Sequence, residues 1–271
     1  MGHDPSLFEL VRHPIAVRTL EVKRVVALTP RMARITLGGP ELAGFRSLAP
    51  EDHVKIFFPR PGEREPILPV IGPSGLPATT AGPKPIGRDY TPRRYDAERG
   101  ELDVDFFLHG HGIASTWAAQ AAPGQVVGVA GPRGSYVLRR DVAWQLFVGD
   151  ETAQPEIARR IEELPASVAV RVVLVVDGPE EEQPWPASGA IETRWVHRRA
   201  GDVLLDAVRA LVLPEGEGFV WLAGEASQVR AVYRHLLVDR GLPASRVHAS
   251  GHWKRGVVAH DHHEPIAVDE R

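Results

Sequence analysis

The first half of the chain alternates apolar and polar residues in short runs that are separated by turn signals. Such runs occupy residues 17–28, 32–37, 53–58, 101–108 and 125–130. Alternation with a period of two, interrupted by Gly and Pro, is typical of antiparallel β-strands. With many short strands and one short helix, this half is predicted to form a small antiparallel β-barrel.

The pattern changes near residue 144, where apolar strands begin to alternate with helices. Strands are predicted at 145–149, 168–176, 191–196, 219–223 and 247–250. Helices are predicted between them at 156–164, 203–211 and 228–240. Alternating strands and helices indicate a parallel sheet with helices on its faces.

These two patterns predict a two-domain α+β protein with a tail. The antiparallel β-barrel is assigned to residues 1–140, and an α/β nucleotide-binding domain is assigned to residues 141–256. Residues 257–271 are predicted to form a polar, mobile tail, because chain termini are usually poorly ordered. The tail contains His260, Asp261, His262 and His263, whose side chains can bind metals, but we assign them to the tail and predict no metal site.

Composition excludes several classes of protein. The chain has 271 residues, a formal net charge of −3 and no cysteine. General nucleic-acid binding is not expected, because the chain has no block of Lys and Arg. The lack of cysteine excludes disulfides, Cys-ligated zinc, iron–sulfur clusters and thiol nucleophiles. With neither a signal-peptide pattern nor a membrane-length apolar stretch, we expect a cytoplasmic protein that does not insert into membranes. We also expect a monomer.

The first candidate site is residues 88–93, which follow a Pro- and Gly-rich loop over residues 59–87. In an extended strand Arg88 and Tyr90 share one face and Thr91 lies on the other. An Arg fork suits a phosphate, a phenol ring suits a flat heterocycle, and a hydroxyl can bond a ring edge. The set fits a flavin nucleotide, although an edge strand with surface charges is the commoner explanation of such a segment.

A glycine-rich turn after residue 108 leads into a short helix, which is predicted over residues 117–122. Ser115 or Thr116 is predicted to cap this helix, and its amide end would favour a phosphate. A glycine turn into a short helix, without any ligand, explains the same residues.

Two turns in the second half place polar residues after predicted strands. Residues 149–152 (Gly-Asp-Glu-Thr) follow one strand, and Gly224 and Glu225 follow another. Ligands of parallel sheets bind outside the carboxyl ends of the strands, so these turns are candidate parts of one site. The GxGxxG fingerprint is absent, and each turn alone is explained as a helix cap. Their shared position at strand ends favours a site.

The last predicted strand leads into residues 251–256, with the sequence Gly-His-Trp-Lys-Arg-Gly. This segment places an aromatic ring beside two cations. A solvated turn explains it equally well.

Five motifs occur in order along the chain, namely RDYTPR, DFFLHGHGIASTWAAQAAPGQVVGVAGPRGSY, VGDETAQPEI, WLAGE and SGHWKRG. Together they resemble the siderophore-interacting protein family, which are flavin-dependent ferric-siderophore reductases built like ferredoxin–NADP reductases. The resemblance runs over about residues 17–256. It implies an FAD-binding barrel, an NAD(P)H-binding α/β domain, and electron transfer from NADH or NADPH to a ferric siderophore with release of Fe(II). No catalytic side chain and no protein ligand to iron are expected.

The resemblance also implies roles for individual residues. Those that would hold the flavin ring and its phosphate side are Arg88, Tyr90 and Thr91. Those on the ribityl-pyrophosphate and adenine side are His109, Ala114, Ser115, Thr116 and Trp117. Those near the nicotinamide are Asp150, Glu151, Thr152, Gly224 and Glu225. Those that would face the ferric siderophore are His252, Lys254 and Arg255.

Three positions depart from the family pattern: Ile113 replaces a common Pro, Gln154 replaces a common Leu, and His252 replaces a common Tyr. The first two are tolerable in a turn and at a helix start. His252 lies in the segment assigned to the substrate, so it puts the siderophore preference in doubt rather than flavin binding.

The sequence leaves the electron donor open between NADH and NADPH. Candidate readers of the 2′-phosphate of NADPH are Arg194, Arg198 and Arg199, and surface charge explains each of them equally. Two other functions stay open. One is a general NAD(P)H:flavin-type reductase, which would reduce simple dyes as readily as ferric siderophores. The other is a non-redox siderophore-binding or iron-handling protein, which would be colourless.

Overall fold

The computed structural model describes residues 7–72, 78, 82–138, 142–185, 191–258, 260–261 and 264–266. The chain divides into two compact units. One unit is Glu9–Val137, and the other combines Leu138–Arg271 with Met1–Phe8. No helix in the part of the chain that the structure describes is long and apolar enough to cross a membrane.

The Glu9–Val137 unit is built on antiparallel strands and one short helix, α1 (Ile113–Ala118). The strands are β1 (Phe8–Arg12), β2 (Val17–Thr29), β3 (Met32–Gly38), β4 (Val54–Phe57), β5 (Gly87–Tyr90), β6 (Arg94–Asp96), β7 (Glu101–Phe107), β8 (Val126–Ala130) and β9 (Gly134–Leu138). Seven of them form one sheet in the order β5-β4-β8-β2-β3-β7-β6, while β1 pairs with β9.

Alternation along the strands explains this core. On β2, Leu20 and Val22 are fully buried, whereas Glu21 and Lys23 between and after them are exposed. Strand β2 pairs with β3 on one side and with β8 on the other, so its apolar face lies at the centre of the sheet. A one-residue slip would turn that face to solvent, which fixes the register.

The large sheet curls round its own core. Strands β5 and β7 are five positions apart in the sheet, which corresponds to about 24 Å in a flat sheet with strands roughly 4.8 Å apart. The ring of Tyr90 on β5 nevertheless lies 4.3 Å from the ring of Phe106 on β7. Only a strongly curved sheet brings these rings together, and the predicted antiparallel barrel is confirmed.

The second unit is an α/β structure, as predicted. Its strands are β10 (Trp144–Asp150), β11 (Ala169–Val176), β12 (Ile191–His197), β13 (Gly218–Glu225) and β14 (Val247–Trp253). Its helices are α2 (Gln154–Glu163), α3 (Leu204–Arg209) and α4 (Ala226–Arg234). A π-helical turn over His235–Asp239 continues α4. All pairings in its sheet are parallel, in the order β12-β11-β10-β13-β14.

Strand β10 is the centre of this sheet and is buried along its whole length. Leu146 and Val148 pack in one core with Val173, Val220 and Tyr233. The chain leaves β10 toward β11 on one side and returns through β13 on the other, so the strand order reverses beside β10. Ligands of open parallel sheets bind at the carboxyl ends of the strands at such a reversal.

The prediction of a mobile polar tail beyond residue 256 is wrong for two of its residues. Ile266 is 3% exposed and belongs to the core of the α/β unit. The His260 side chain is 7% exposed, and its ring packs against Gly251. Ile266 is an apolar residue in a polar segment and in itself indicates a buried position. The overall polarity of the segment does not show this. His262 and His263 lie outside the described residues.

Candidate functional site

Strand β5 places Arg88 and Tyr90 on the inner face of the curled sheet. Arg88 lies opposite Ile56, which is fully buried, and directly opposed residues share a face. Tyr90 follows two positions later on the same face. Asp89 points the other way and forms an ion pair with Lys55 at 2.6 Å. The alternation that the sequence predicts for this segment is confirmed as far as Tyr90, where the strand ends.

Arg88 carries a charge that no carboxylate of the described residues neutralises. Its Nη1 donates a hydrogen bond to the Gly87 carbonyl at 2.7 Å, and the side chain is half-buried. Arg93, in the same segment, is buried and lies 3.9 Å from the Asp105 carboxylate. The two guanidiniums therefore differ in chemistry, and Arg88 is the one available to an anion.

Tyr90 presents a flat, uncharged ring beside Arg88. Its ring lies 4.3 Å from that of Phe106 and 6.4 Å from that of Phe58. Burial raises the pKa of the Tyr90 phenol, although the Arg88 charge opposes this shift. The phenol therefore stays protonated at neutral pH and can donate a hydrogen bond. Thr91, the next residue, is half-buried.

The helix after β7 begins earlier than predicted. It spans Ile113–Ala118, whereas the sequence predicted 117–122, and it starts directly after Gly112 at φ +76°. Ser115 lies inside the helix and is 2% exposed, so the prediction that it or Thr116 caps the helix is wrong. Its hydroxyl accepts hydrogen bonds from the backbone amides of His109 (3.0 Å) and Gly110 (3.1 Å). Ser115 thus holds the glycine turn in place.

The remaining residues assigned to this turn divide into packed and accessible groups. Ala114 is buried, and the Trp117 ring lies 5.2 Å from that of Phe58, so both belong to the barrel core. Thr116 and His109 are both exposed. Burial lowers the pKa of His109, and the nearby charges of His111 and Arg31 lower it further. His109 is therefore neutral at pH 7 and can donate one hydrogen bond and accept another.

In the α/β unit, Asp150 joins the carboxyl ends of three strands. It ends β10, is 3% exposed, and accepts hydrogen bonds at both oxygens. Oδ1 accepts from the amide and the hydroxyl of Thr152, at 2.9 and 2.6 Å. Oδ2 accepts from the Glu225 amide at the end of β13 (2.9 Å) and from the Trp253 indole at the end of β14 (2.8 Å). The carboxylate is fully engaged within the protein.

Two glycines allow this close packing. Gly224 has φ +144°, and a Cβ there would lie 2.7 Å from Oδ2 of Asp150. A Cβ on Gly149 would lie 2.5 Å from the Ala223 carbonyl oxygen and 2.7 Å from the Cβ of Ala153. Both contacts involve backbone or short side chains that cannot move aside, so larger residues would disrupt this turn.

Glu225 is the N-cap of α4, as the helix-cap explanation predicts. Its carboxylate accepts from the amides of Ser227 (2.9 Å) and Gln228 (3.0 Å) and from the Ser227 hydroxyl. It also accepts from the Arg255 amide at 3.2 Å, which fixes the segment after β14. Burial acts to raise the pKa of Glu225, but these hydrogen bonds outweigh it and hold the pKa below the usual value.

Glu151 forms an ion pair with Arg198 that the sequence does not predict. Arg198, at 47 positions' separation, donates to both carboxylate oxygens at 2.9 and 2.8 Å. Glu151 is 3% exposed, so its charge is compensated inside the protein. The pKa of Arg198 is raised chiefly by its hydrogen bonds to Glu151, whereas burial acts to lower it. Both residues are candidates from the sequence, but no local pattern in the sequence pairs them.

The segment after β14 presents two cations to solvent. Lys254 and Arg255 are exposed, and neither side chain has an ion-pair partner in the described part of the chain. His252 points back into the unit, with Nδ1 3.3 Å from the Thr152 hydroxyl and Nε2 3.8 Å from Glu156. His252 is therefore placed beside the Asp150 network, whereas the two cations are placed to meet an anion.

Comparisons with known proteins agree with this arrangement. A family model described as a siderophore-interacting FAD-binding domain matches residues 21–136, and one described as a siderophore-interacting protein matches residues 142–256. The chain is 36% identical to an NADPH-dependent ferric-chelate reductase of Escherichia coli K12, over 93% of this chain and 99% of that protein. It is 31% identical to the ferric vibriobactin reductase ViuB of Vibrio cholerae, over 93% and 96%.

The structure is similar to a crystal structure of a siderophore utilization protein from T. fusca, with a TM-score of 0.88 and 40% identity. That match covers 94% of this chain and 99% of the other. The two family models together cover both units, and each of these three relatives covers at least 93% of the chain. The chain belongs to the siderophore-interacting protein family.

Proposed function

We propose that the protein is an FAD-dependent reductase that transfers electrons from NADPH to ferric siderophores and releases iron as Fe(II). The names of the E. coli and V. cholerae relatives point to this activity. The observation on this chain that carries the proposal is Arg88, a guanidinium without a carboxylate partner in the described residues, on the same strand face as the flat ring of Tyr90. In this proposal residues 1–140 bind FAD and residues 141–256 bind NADPH.

The residues of the barrel unit fit FAD. Arg88 pairs with a phosphate oxygen, because a guanidinium fork matches phosphate geometry. Tyr90 supplies an apolar face and a phenolic donor, and Thr91 a hydroxyl. Neutral His109 supplies a hydrogen bond at the glycine turn, while buried Ser115 keeps that turn in shape. Ala114 and Trp117 support the site from the core, and exposed Thr116 lies at its margin.

The turn at the carboxyl end of β10 fits the nicotinamide half of NADPH. It lies where the strand order of the sheet reverses, the usual position for a ligand. Asp150 and Glu151 are positioning residues here, since their carboxylates are engaged by Trp253 and Arg198. The Thr152 side chain and the backbone at Gly224 are the groups that we assign to the ligand.

The chemistry that FAD supplies when bound is acceptance of two electrons from a reduced nicotinamide and donation of single electrons to an acceptor. One NADPH thus reduces two ferric chelates and yields NADP⁺, two Fe(II) and one proton. The protein supplies position and electrostatics for this exchange. It needs no general base.

The two exposed cations after β14 fit an anionic ferric siderophore. Lys254 and Arg255 attract and seat such a chelate, because opposite charge raises its local concentration. Iron(III) binds hard oxygen ligands strongly and iron(II) binds them less tightly, so reduction releases the metal. His252, beside Thr152, lies at the inner end of this segment. We assign it to selection among siderophores.

Fe(II) trapping tests this function. FAD-loaded protein is mixed anaerobically with NADPH, a ferric siderophore and an excess of a chromogenic Fe(II) chelator. We expect two Fe(II) per NADPH, and a higher kcat/KM for the ferric siderophore than for a simple dye. Equal turnover of dyes and siderophores would favour a general flavin-type reductase. Binding of ferric siderophore by protein that takes up no FAD would favour a non-redox binding protein.

A further inference from the structure

A network of ion pairs at the carboxyl ends of β11 and β12 is not used by the function proposed above. Asp177 directly follows β11, and Arg198 and Arg199 directly follow β12. The Arg199 backbone amide and its Nε both donate to the Asp177 carbonyl, at 3.1 and 3.3 Å. Its guanidinium lies 3.8 Å from the Asp177 carboxylate and also pairs with Glu180.

Arg198 and Arg199 differ in the burial of their ion-pair partners. Arg198 binds buried Glu151 through both of its Nη atoms and lies 3.4 Å from Asp177. Withdrawal of Arg198 would leave a buried carboxylate uncompensated, which is strongly destabilising. Arg198 is therefore a positioning residue for Glu151 and is not available to a ligand.

Arg199, by contrast, pairs with Glu180 and with Asp177, and neither of these carboxylates is fully buried. Its side chain is 57% exposed, and that of its partner Glu180 is 43% exposed. An ion pair between exposed side chains, such as that of Arg199 with Glu180, contributes little stability, so a phosphate can replace this contact at small cost. The Arg199 guanidinium therefore lies at the surface, where an anionic ligand can reach it.

The position of Asp177 and Arg199 in the sheet indicates which part of a dinucleotide they would contact. In dinucleotide-binding parallel sheets, the ribose 2′ position is met either by an acidic residue, which accepts the 2′-hydroxyl of NADH, or by a nearby arginine, which accommodates the 2′-phosphate of NADPH. Strand β11 is the second strand of this sheet in chain order, and Asp177 follows it directly. Arg199 lies over Gly178, where a Cβ would collide with its guanidinium.

We propose that Arg199 binds the 2′-phosphate of NADPH, and that Asp177 and Glu180 hold its guanidinium in place and limit its affinity for that phosphate. Of the three arginines that the sequence offered, Arg198 positions Glu151, and Arg194 lies exposed on β12 without an ion pair to any described residue. The proposal rests on the proposed function only in requiring a nicotinamide dinucleotide as donor.

Calorimetric titration of the FAD-loaded protein with 2′,5′-ADP and with 5′-AMP tests this assignment without turnover. Arg199→Gln is expected to raise the Kd for 2′,5′-ADP ten- to a hundredfold, the range of a charge-assisted phosphate contact, and to leave the Kd for 5′-AMP unchanged. Asp177→Asn is expected to lower the Kd for 2′,5′-ADP severalfold, because it removes the competing charge. Arg194→Gln is the matched control and should change neither Kd.

A second variant displaces Arg199 without removing its charge. Gly178 has extended backbone at φ −165°, which any residue adopts, so Gly178→Ala should move the guanidinium without straining the chain. It should weaken 2′,5′-ADP binding and spare 5′-AMP. An unchanged ratio of the two Kd values in Arg199→Gln, or a changed ratio in Arg194→Gln, would overturn the assignment.

This test and the test of the proposed function fail separately. If Arg199→Gln keeps the parent Kd ratio while the protein still releases Fe(II), the 2′-phosphate is bound elsewhere and the reductase activity stands. If chemically reduced, FAD-loaded protein releases no Fe(II) from a ferric siderophore, the proposed function fails, whatever the Kd ratio is.

Discussion

The indole Nε1 of Trp253 donates a hydrogen bond to Oδ2 of Asp150 at 2.8 Å, across 103 positions of sequence. The same oxygen accepts the Glu225 amide, so one carboxylate fastens the ends of β10, β13 and β14. The nicotinamide and siderophore segments assigned above flank this contact. Their geometry therefore depends on a group that has no chemical step of its own.

Loss of the Trp253 hydrogen bond should destabilise the protein measurably. Trp253→Phe removes a donor to a buried charged acceptor and is expected to lower the free energy of unfolding by about 2 kcal/mol. Asp150→Ala leaves several buried donors unsatisfied and should cost about 3 kcal/mol or more. Urea unfolding followed by circular dichroism measures both. The control is Asp206→Asn, whose side chain is 67% exposed and pairs with Arg209 at 3.3 Å; a loss under about 0.5 kcal/mol is expected there.

Stability should depend on pH through Glu225. Its pKa is lower in the folded protein than the roughly 4.3 of an unfolded chain, so its contribution is fully present above about pH 5. That contribution disappears as the pH falls through the lowered pKa. The stability difference between the parent and Glu225→Gln should accordingly be largest at pH 7 and shrink below pH 4. Urea midpoints at pH 7, 4 and 3 would show this trend. The control is Glu192→Gln, whose side chain is 73% exposed, and its stability difference from the parent should change little with pH. A constant difference would mean that the Glu225 charge is not what stabilises the cap.

Local features of the fold were predictable because they depend on neighbours in the sequence. Alternation along residues 17–28 reveals the buried face of β2, and the continuous apolar run before Asp150 reveals a strand that is covered on both sides. The sequence predicts the start of helix α1 too late, because Ser115 is a good N-cap residue in isolation. In the folded chain the positive φ of Gly112 starts the helix earlier, and the Ser115 hydroxyl bonds backward to the turn.

FAD binding should depend on Arg88. Arg88→Gln removes a charge-assisted phosphate contact, worth about 1.5–3 kcal/mol, and should raise the Kd for FAD roughly ten- to a hundredfold. Equilibrium dialysis with detection of free FAD by fluorescence measures the change. Arg94→Gln, at the start of the neighbouring strand β6, is the control, since its side chain is 65% exposed and lies 3.7 Å from Asp96. FAD retention equal to that of the parent in Arg88→Gln would place the phosphate anchor elsewhere.

Substrate affinity should depend on the two exposed cations after β14. Lys254→Ala is expected to raise the KM for an anionic ferric siderophore severalfold at low salt and less at high salt, because salt screens exposed charges. The visible spectrum of bound FAD should not change. Lys23→Ala, at an exposed lysine paired with Glu21 on β2, should leave the KM as it was. Loss of FAD from Lys254→Ala would show that this lysine serves the cofactor, and the substrate assignment would be withdrawn.

Long-range contacts of the candidate site were beyond prediction from sequence. The pairing of Glu151 with Arg198 and the bond between Asp150 and Trp253 both require the strand order β12-β11-β10-β13-β14, which alternation along the chain does not specify. From the sequence, Asp150, Glu151 and Arg198 are candidates to contact a ligand. In the fold, the carboxylates of Asp150 and Glu151 hold strand ends together, whereas Arg199 and Lys254 are exposed.

The most direct test of the account is the visible absorption spectrum of the purified, FAD-supplemented protein under anaerobic conditions, with NADPH and then a ferric siderophore added in turn. We predict an oxidised flavin spectrum that bleaches with NADPH and returns when the ferric siderophore is added, with Fe(II) appearing in step. A protein that binds no flavin even with added FAD, or a reduced flavin that the ferric siderophore does not reoxidise, would contradict the proposed electron route.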